Sequence, residues 1–480
     1  MNNPLERVHH LALTALPVIE AWPHPTCDRH LSGIVDGTAM ANALTIAGSD
    51  SVGGAGLQAD LKAFEAVGVH GCSVVTCVTS QNTKEVASIF PIPVREIASQ
   101  LRSVLEDVRL DAVKTGMLYS PEIVRTVASH LRGLECPIVV DPVMAATTGS
   151  SLHRSGFVES LVSKLLPLCT IVTPNLLEAS ELSGVEVKDE ESARAAGREL
   201  LELGPKAVLI KGGHLRGAEA IDFLFVGRRM IRVASPMVKG EVHGTGCALA
   251  SLIAANLALG MGLEDAVRAS KKTLFKAILA RESVGEGIPC ANPLAALRIE
   301  AGKARMLEEL EEAGTRLESM LSPPLVPEVG INIGYGVLGA LDQDEVAAFS
   351  GRIHRVGQRA RRTGSPMFGA SKHVARIVLA ASSHDPETRC AMNIRYSEDN
   401  LAACMAAKLT VSTFDRSEEP SGVSSMTWGV HRAISDLGRV PDIIYDEGGV
   451  GKEPMIRILG RSPDDVLRKL ERIIRQRKPR

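Results

Sequence analysis

Aromatic residues are scarce in this chain: phenylalanine, tryptophan and tyrosine together supply 3% of its 480 residues. A surface that holds nucleic acid by stacking bases needs such rings, so that mode of binding is excluded. Neither sign of charge dominates, with 54 Lys and Arg against 56 Asp and Glu. There is therefore no overall field to attract a nucleic acid or a membrane. The longest apolar helical run, Ala248 to Leu259, is too short to span a bilayer. The nine cysteines are odd in number and contain no C-x-x-C pair, which argues against a zinc site or a disulfide framework and for free thiols in a reducing cytoplasm. The first glycine-rich loop, GSDSVGGAG at 48–56, fits neither the dinucleotide G-x-G-x-x-G pattern nor a Walker loop.

What is present is length and alternation. A chain of 480 residues exceeds one core and implies two or three domains. Residues 1–39 read as a dispensable leader, with Met40 a candidate true start; no clean cleavage site follows its apolar run, so export is not expected. From Ala43 onward, short apolar strands alternate with helices: 43–47, 73–78, 112–115, 138–140, 171–173 and 207–210 are strand-like. Helices are expected at 57–67, 97–108, 121–131 and from Leu176. This predicts a mostly parallel sheet covered on both faces, an α/β unit over 40–290.

Gln81, Asp141, Asn175 and Lys211 all fall just past the carboxyl ends of strands, the edge at which open α/β sheets bind ligands. To these the stretch His243-Gly244-Thr245-Gly246-Cys247 adds a helix N-terminus with free N–H groups, an anion nest. Cys247 in its first turn sits where a thiolate is favoured. Taken alone, the stretch reads equally well as a glycine turn ahead of a packed cysteine. Beside the other four polar positions, phosphoryl transfer to a hydroxyl is the better reading.

The run ALTIAGSDSVGGAGLQADLKAFEAVGVHG, followed in order by SQNT, KTGM, VVDPVM, TPNLLEA, LIKGGH and HGTGCALA, resembles the ThiD family. Its members are hydroxymethylpyrimidine and phosphomethylpyrimidine kinases of the ribokinase superfamily. The resemblance implies a three-layer αβα fold, ATP as co-substrate with Mg2+, and a homodimer. It places Gln81, Gly48, Met117 and Asp60 around the pyrimidine, and Asn175, Lys211, Gly244, Thr245 and Gly246 around the phosphates. Glu178 of the N-x-x-E motif falls near the magnesium, with Asp141 a second candidate, and Cys247 falls on the general base. Some pyridoxal kinases share that cysteine, so a vitamin B6 kinase is the rival reading.

Residues 291–328 are expected to form a helical linker, with an amphipathic helix over 299–321, a weak spot at Gly314 and a stop at Ser322-Pro323-Pro324. Arginine becomes common beyond it. A second, smaller α/β unit is expected over 329–476, with strands at 331–337, 353–356, 392–396, 409–414, 443–445 and 455–458. Helices are expected at 344–349, 371–382, 401–408, 428–437 and 463–475. Arg352, Arg355, Arg359, Arg361, Arg362, Lys372 and Arg376 crowd, in sequence, around a helix that opens at Ser371. His373 lies in its first turn. A site for phosphate-bearing small molecules fits this better than a solvated basic face or a nucleic-acid patch. Asp446-Glu447-Gly448-Gly449 reads as a turn rather than a metal–pyrophosphate site.

The stretches VGINIGYGV, DEVAAFSGRIHRVG, FGASKHVARIVL, AMNIRYSED, FDRSEEP and PDIIYDEGGVGKEPMIRILG resemble ThiN, a thiamine-phosphate synthase domain. That family joins the pyrimidine diphosphate to thiazole phosphate and releases pyrophosphate, and its functional arginine and histidine fall on Arg352 and His373. The expected whole is a bifunctional, cytoplasmic enzyme of thiamine biosynthesis. Its rival is a kinase fused to a non-catalytic domain that senses thiamine phosphate.

Overall fold

The computed structural model describes residues 40–145, 152–213, 219–420, 425–449 and 451–477. The expected leader, and His214 of the LIKGGH motif, lie outside the described residues.

The first unit is a nine-stranded sheet with helices on both faces. Its strands are β1 (Asn42–Asp50), β2 (His70–Gln81), β3 (Val86–Pro91), β4 (Ala112–Thr115), β5 (Ile138–Val140), β6 (Ile171–Val172), β7 (Ala207–Ile210), β8 (Glu219–Val226) and β9 (Arg229–Pro236). They lie in the order 3-2-1-4-5-6-7-8-9. The six from β2 to β7 in that order run parallel, and β3, β8 and β9 add antiparallel edges. β4, β5 and β7 are buried along their whole length, which is why β5 and β7 read as continuous apolar runs rather than as alternating ones.

The helix Thr245–Ala258 is buried from Ala248 to Leu257. It lies against the sheet, and the amphipathic helix Leu263–Leu279 packs on it.

The second unit is a seven-stranded sheet in the order 14-11-10-15-18-17-16. Its strands are β10 (Ile333–Gly336), β11 (Val346–Phe349), β14 (Pro366–Phe368), β15 (Cys390–Arg395), β16 (Val411–Thr413), β17 (Ile443–Asp446) and β18 (Met455–Gly460), and a small hairpin of β12 (Ile353–Val356) and β13 (Arg359–Arg362) stands beside it. Only the β16–β17 pair is parallel.

Two expectations need correction here. The stretch 344–349 is not a helix: Gln343–Glu345 is a single 3-10 turn and Val346–Phe349 is strand β11. Its alanines favour helix locally, but pairing with β10 on one side and β14 on the other outweighs that weak preference. Nor is the expected linker a spacer. The helix Ala295–Met320 buries Met306, Leu310, Ala313 and Leu317 in the core of the second unit. A Cβ at Gly314 would lie 2.5 Å from the Phe349 ring, so the glycine marks a close contact and not a weak spot.

The two units meet through charge. Lys276 of the Leu263–Leu279 helix reaches Glu345 at 2.5 Å, with both side chains buried, and Lys272 bridges Asp342 at 2.7 Å and Glu345 at 3.1 Å. Burial favours a protonated Glu345, yet the lysines prevail and hold its carboxyl below the usual range.

A second buried pair lies beneath the first sheet's ligand edge. Lys114 reaches Asp60 at 2.7 Å, and neither side chain has any solvent exposure. Thr45 and Ser251 donate to the same carboxylate at 2.6 and 2.7 Å. Removing one member leaves a naked buried charge, which typically costs about 3–5 kcal/mol. Asp60→Ala is therefore expected to lower stability by about that amount. The midpoint of chemical denaturation measures it, and an unchanged midpoint contradicts the assignment.

Two candidate active sites

The glycine loop after β1 is built around Asp50. Its carboxylate accepts from the backbone N–H groups of Val52, Gly54 and Ala55 at 3.0, 3.0 and 2.8 Å. Burial works against its charge, but these bonds and His243 hold its carboxyl below the usual carboxylate range. His243 Nε2 lies 3.4 Å from Asp50 and 3.0 Å from the Gln81 amide nitrogen. Gln81 is the last residue of β2, so strand pairing and His243 together orient its amide. Gly48 and Met117 also come to this end. A Cβ at Gly48 would meet Cys77 Sγ at 2.7 Å and Met117 Sδ at 3.3 Å, which makes this a flat, apolar wall.

Asp60 departs from its expected role among the substrate contacts. It is wholly buried and engaged by Thr45, Lys114 and Ser251, so its place is beneath the site. Its partner Lys114, like Asp50 and His243, forms the site although sequence reasoning gave it no role; all three lie within quoted motifs.

The expected phosphate end is assembled by β5, β6, β7 and the Thr245–Ala258 helix. Gly244 caps that helix at φ 81°, and a Cβ there would fall 1.8 Å from the Gly54 carbonyl oxygen. Only glycine permits this approach of the two loops. A Cβ at Gly246 would lie 3.3 Å from Lys211 Nζ and 3.9 Å from Asp141 Oδ2, which sets Lys211 and Asp141 directly at the helix N-terminus, with Thr245 in its first turn. Lys211 reaches Asp141 at 2.8 Å and Glu178 at 4.0 Å. Burial opposes the charge on Lys211, but the two carboxylates overcome it and raise the lysine's proton affinity. Asn175 and Glu178 form a capping box, each side chain accepting from the other's backbone N–H. Burial pushes the Glu178 carboxyl up to about 6, against the pull of Lys211. Such a carboxylate, short of positive charge, suits a cation held by one or two carboxylates and phosphate oxygens, as Mg2+ commonly is.

Cys247 reverses the expectation of a favoured thiolate. Burial pushes its thiol up to about 11, with Asp60 and Asp141 adding to the effect and Lys114 opposing it. The helix dipole is outweighed by desolvation.

In the second unit, a cavity of about 570 Å3 is lined by Asn332, Phe349, Arg352, His354, Thr363, Lys372 and His373, among others. Arg352 and His373, 21 positions apart in sequence, thus share one wall. Asn332 builds the floor: it donates to the Phe349 carbonyl at 3.0 Å and accepts from Ile333 and Phe349 N–H groups. Arg352 donates to the Val329 carbonyl at 2.7 Å. Ser371 precedes the Lys372–His384 helix but makes no side-chain capping bond. His373 keeps solvent exposure, yet loss of hydration at its ring, then Arg457, Arg352, Arg416 and Arg376, push the imidazole down to about 4.

The expected crowd of arginines is thinner than its sequence suggested, and differently composed. Arg361 and Arg362 point to Glu318 and Glu311 on the Ala295–Met320 helix. Arg416 and Arg457, more than forty residues away in sequence, take their place. Asp446 is paired with both and caps Gly448 N–H at 2.9 Å, in accord with the turn reading. Among the described residues no three His, Cys, Asp or Glu side chains cluster as a metal cage.

A parallel sheet with a glycine-rich helix start and a lysine between two carboxylates at its edge has the arrangement of a small-molecule phosphotransferase; the second unit is an α/β domain with a basic cavity. The sequence profile described as "Phosphomethylpyrimidine kinase" matches residues 50–292, and that described as "Thiamine-phosphate synthase ThiN" matches 309–472. The chain is 35% identical over 430 residues to the "Bifunctional thiamine biosynthesis protein ThiDN" of Methanocaldococcus jannaschii, covering 89% of this chain and 97% of that protein. The chain belongs to this family, in which a phosphomethylpyrimidine kinase is fused to a ThiN domain. The first unit is 48% identical over 246 residues to the hydroxymethylpyrimidine/phosphomethylpyrimidine kinase of Streptomyces coelicolor, covering 51% of this chain and 91% of that one. Its fold is that of Staphylococcus aureus pyridoxal kinase solved with ADP, at a TM-score of 0.52 and 32% identity over 55% of this chain and 96% of that chain.

An imidazole held neutral by surrounding guanidiniums should regain protons when an anion neutralises them. His373 is therefore expected to titrate near pH 4 and to shift upward when pyrophosphate is added, as read from its imidazole resonances by NMR. A midpoint at the ordinary histidine value that pyrophosphate leaves unmoved would show that the arginines do not act on it.

Proposed function

We propose that this chain is a bifunctional enzyme of thiamine biosynthesis. Its first unit uses ATP to phosphorylate hydroxymethylpyrimidine and then its monophosphate. Its second unit condenses the resulting diphosphate with thiazole phosphate, giving thiamine phosphate and pyrophosphate. The observation that carries this reading is the alignment of both units, in order and nearly end to end, with a bifunctional relative.

In the first unit, Gln81 pairs with the aminopyrimidine edge through an amide that offers both a donor and an acceptor. Met117 and Gly48 face the ring. Lys211, Thr245, Gly244, Gly246 and Asn175 bind phosphate oxygens as a point charge and a set of N–H donors. Asp141 and Glu178 would hold Mg2+, which neutralises charge on the transferred group. Cys247 takes the proton of the attacking hydroxyl. Since its thiol is pushed up to about 11, only a small thiolate fraction acts at neutral pH, and most of the acceleration comes from positioning and charge neutralisation.

In the second unit, loss of pyrophosphate leaves a cationic pyrimidine-methyl fragment that its own ring stabilises. The protein's work is to neutralise the leaving group and to align the thiazole nitrogen. Arg352 and His373 do this from one wall of the cavity. The imidazole serves as a hydrogen-bond donor to the leaving group.

A second reading, vitamin B6 kinase activity, is favoured by the likeness of the first unit to a pyridoxal kinase solved with AMP-PCP and pyridoxal, at 31% identity and a TM-score of 0.51. Competition between pyridoxal and hydroxymethylpyrimidine separates the two. We further propose a cytoplasmic homodimer, which sedimentation of the purified protein tests.

Purified protein given hydroxymethylpyrimidine, ATP, Mg2+ and thiazole phosphate is expected to form thiamine phosphate. Pyrimidine diphosphate accumulating without it would instead favour a sensing second unit. Kinase turnover should rise with pH above neutrality as the Cys247 thiolate fraction grows towards its midpoint near 11. Cys247→Ala should lose that rise together with about 10²-fold or more of turnover, while ATP binding persists. A variant that keeps both the rate and its pH dependence removes the base assignment.

A further inference from the structure

The synthase reading demands two phosphate-bearing substrates at one site, and the cavity with Arg352, Lys372 and His373 supplies one anion-binding wall. A second concentration of positive charge lies at the same edge of the same sheet. In the register of the second sheet, Ile333 at the start of β10 faces Met392 in the middle of β15, which runs on from there past the start of β10 to Arg395. Arg395 at that end faces Met455 at the start of β18, and Met455 faces Asp446 at the end of β17. Asn332 of the cavity floor and Asp446 are thus on one edge, with Arg457 two residues into β18.

Asp446 is fully buried and holds two guanidiniums. Arg457 Nη2 donates to its Oδ2 at 2.6 Å. Arg416 donates to it twice, Nε to Oδ1 and Nη2 to Oδ2, the latter at 3.2 Å. Both guanidiniums lie over Phe414, 5.4 and 5.9 Å from its ring centre. One carboxylate does not neutralise two guanidiniums. Of the acids that follow along this loop, Glu418 reaches Arg432 at 3.7 Å and Glu419 is engaged by Lys452 at 2.9 Å. Arg457 is buried with its Nε lacking any hydrogen-bond partner among the described residues, while Arg416 keeps partial solvent contact. A dry cluster with surplus positive charge is costly unless an anion completes it. A fork fixed through Nε and Nη2 leaves Nη1 to donate to another acceptor.

We propose that Arg416, aligned by Asp446 and backed by Arg457, anchors the phosphomonoester of the nucleophilic thiazole substrate. The Arg352, Lys372 and His373 wall is left to the diphosphate, whose larger charge matches its several donors and helix N-terminus. This rests on the synthase reading. Arg416 is the binding residue; Asp446 and Arg457 are positioning residues. The depressed proton affinity of His373, to which Arg457 and Arg416 both contribute, is consistent with one continuous field across both subsites.

The test uses the full chain, with steady-state synthase kinetics for each substrate and calorimetric binding of thiazole phosphate. Arg416→Ala is expected to raise KM for thiazole phosphate by about 30-fold or more, as expected for loss of a charged hydrogen-bonded contact, and to weaken its binding by a similar factor. KM for the pyrimidine diphosphate should stay within about threefold. Arg416→Lys should recover only part of the loss, because an ammonium cannot form the fork, and Asp446→Asn should resemble Arg416→Ala. A KM for the pyrimidine diphosphate that stays within that range in the same variant shows that the second unit is folded. Unchanged thiazole phosphate binding in Arg416→Ala, or equal losses for both substrates, overturns the proposal. A wild-type chain that makes no thiamine phosphate defeats the synthase reading instead, and the binding comparison then decides the subsite by itself.

Discussion

A buried carboxylate that holds a cation at the edge of a sheet is the interaction on which both halves of this protein depend. Asp141 fixes Lys211 at the first sheet's edge, and Asp446 fixes Arg416 and Arg457 at the second's. Each arrangement meets one physical problem. A phosphate needs positive charge in a site from which water can be excluded, and an isolated cation there would either unfold the site or lose its proton. The carboxylate keeps the cation charged and aimed. In the first unit a further layer, Asp60 with Lys114, lies beneath Cys247 and extends the same principle one shell deeper.

The helix N-termini act within that frame and not alone. At Thr245–Ala258 the dipole and the open N–H groups favour an anion, yet Cys247 holds its proton because burial and two nearby carboxylates outweigh the dipole. At Lys372–His384 the same geometry is joined by guanidiniums, and the histidine loses its proton. One device, a helix start at a sheet edge, thus leaves a neutral thiol in one site and a neutral imidazole in the other. In each case the surroundings decide the protonation state.

The units are not beads on a string. The helix Ala295–Met320 belongs to the second core, and the Lys276–Glu345 contact joins the helix behind the first anion site to the turn that leads into β11. β11 runs directly towards Arg352. The fusion therefore places a buried ion pair between the elements that frame each site.

Much of this was legible in the sequence, for local reasons. Central strands read as apolar runs because they are buried on both faces. Gln81, Asp141, Asn175 and Lys211 announced the ligand edge because strand ends carry polar loops. The glycine pattern at 244–246 marked a helix start that only a residue without a side chain permits. What sequence reading misjudged was decided between elements distant in the chain. Strand β11 exists through its two partners and not through its own residues. Asp60 was withdrawn from the substrate by Lys114, Thr45 and Ser251. Arg361 and Arg362 were drawn to glutamates on another helix, while Arg416 and Arg457 came in from afar. Spacing and composition by themselves determined the order of units and where polar residues meet strand ends, while the resemblance of the quoted motifs pointed to the family. Tertiary structure alone decided which charges pair, because Coulomb energy and desolvation depend on distance and burial, and neither is written in residue order.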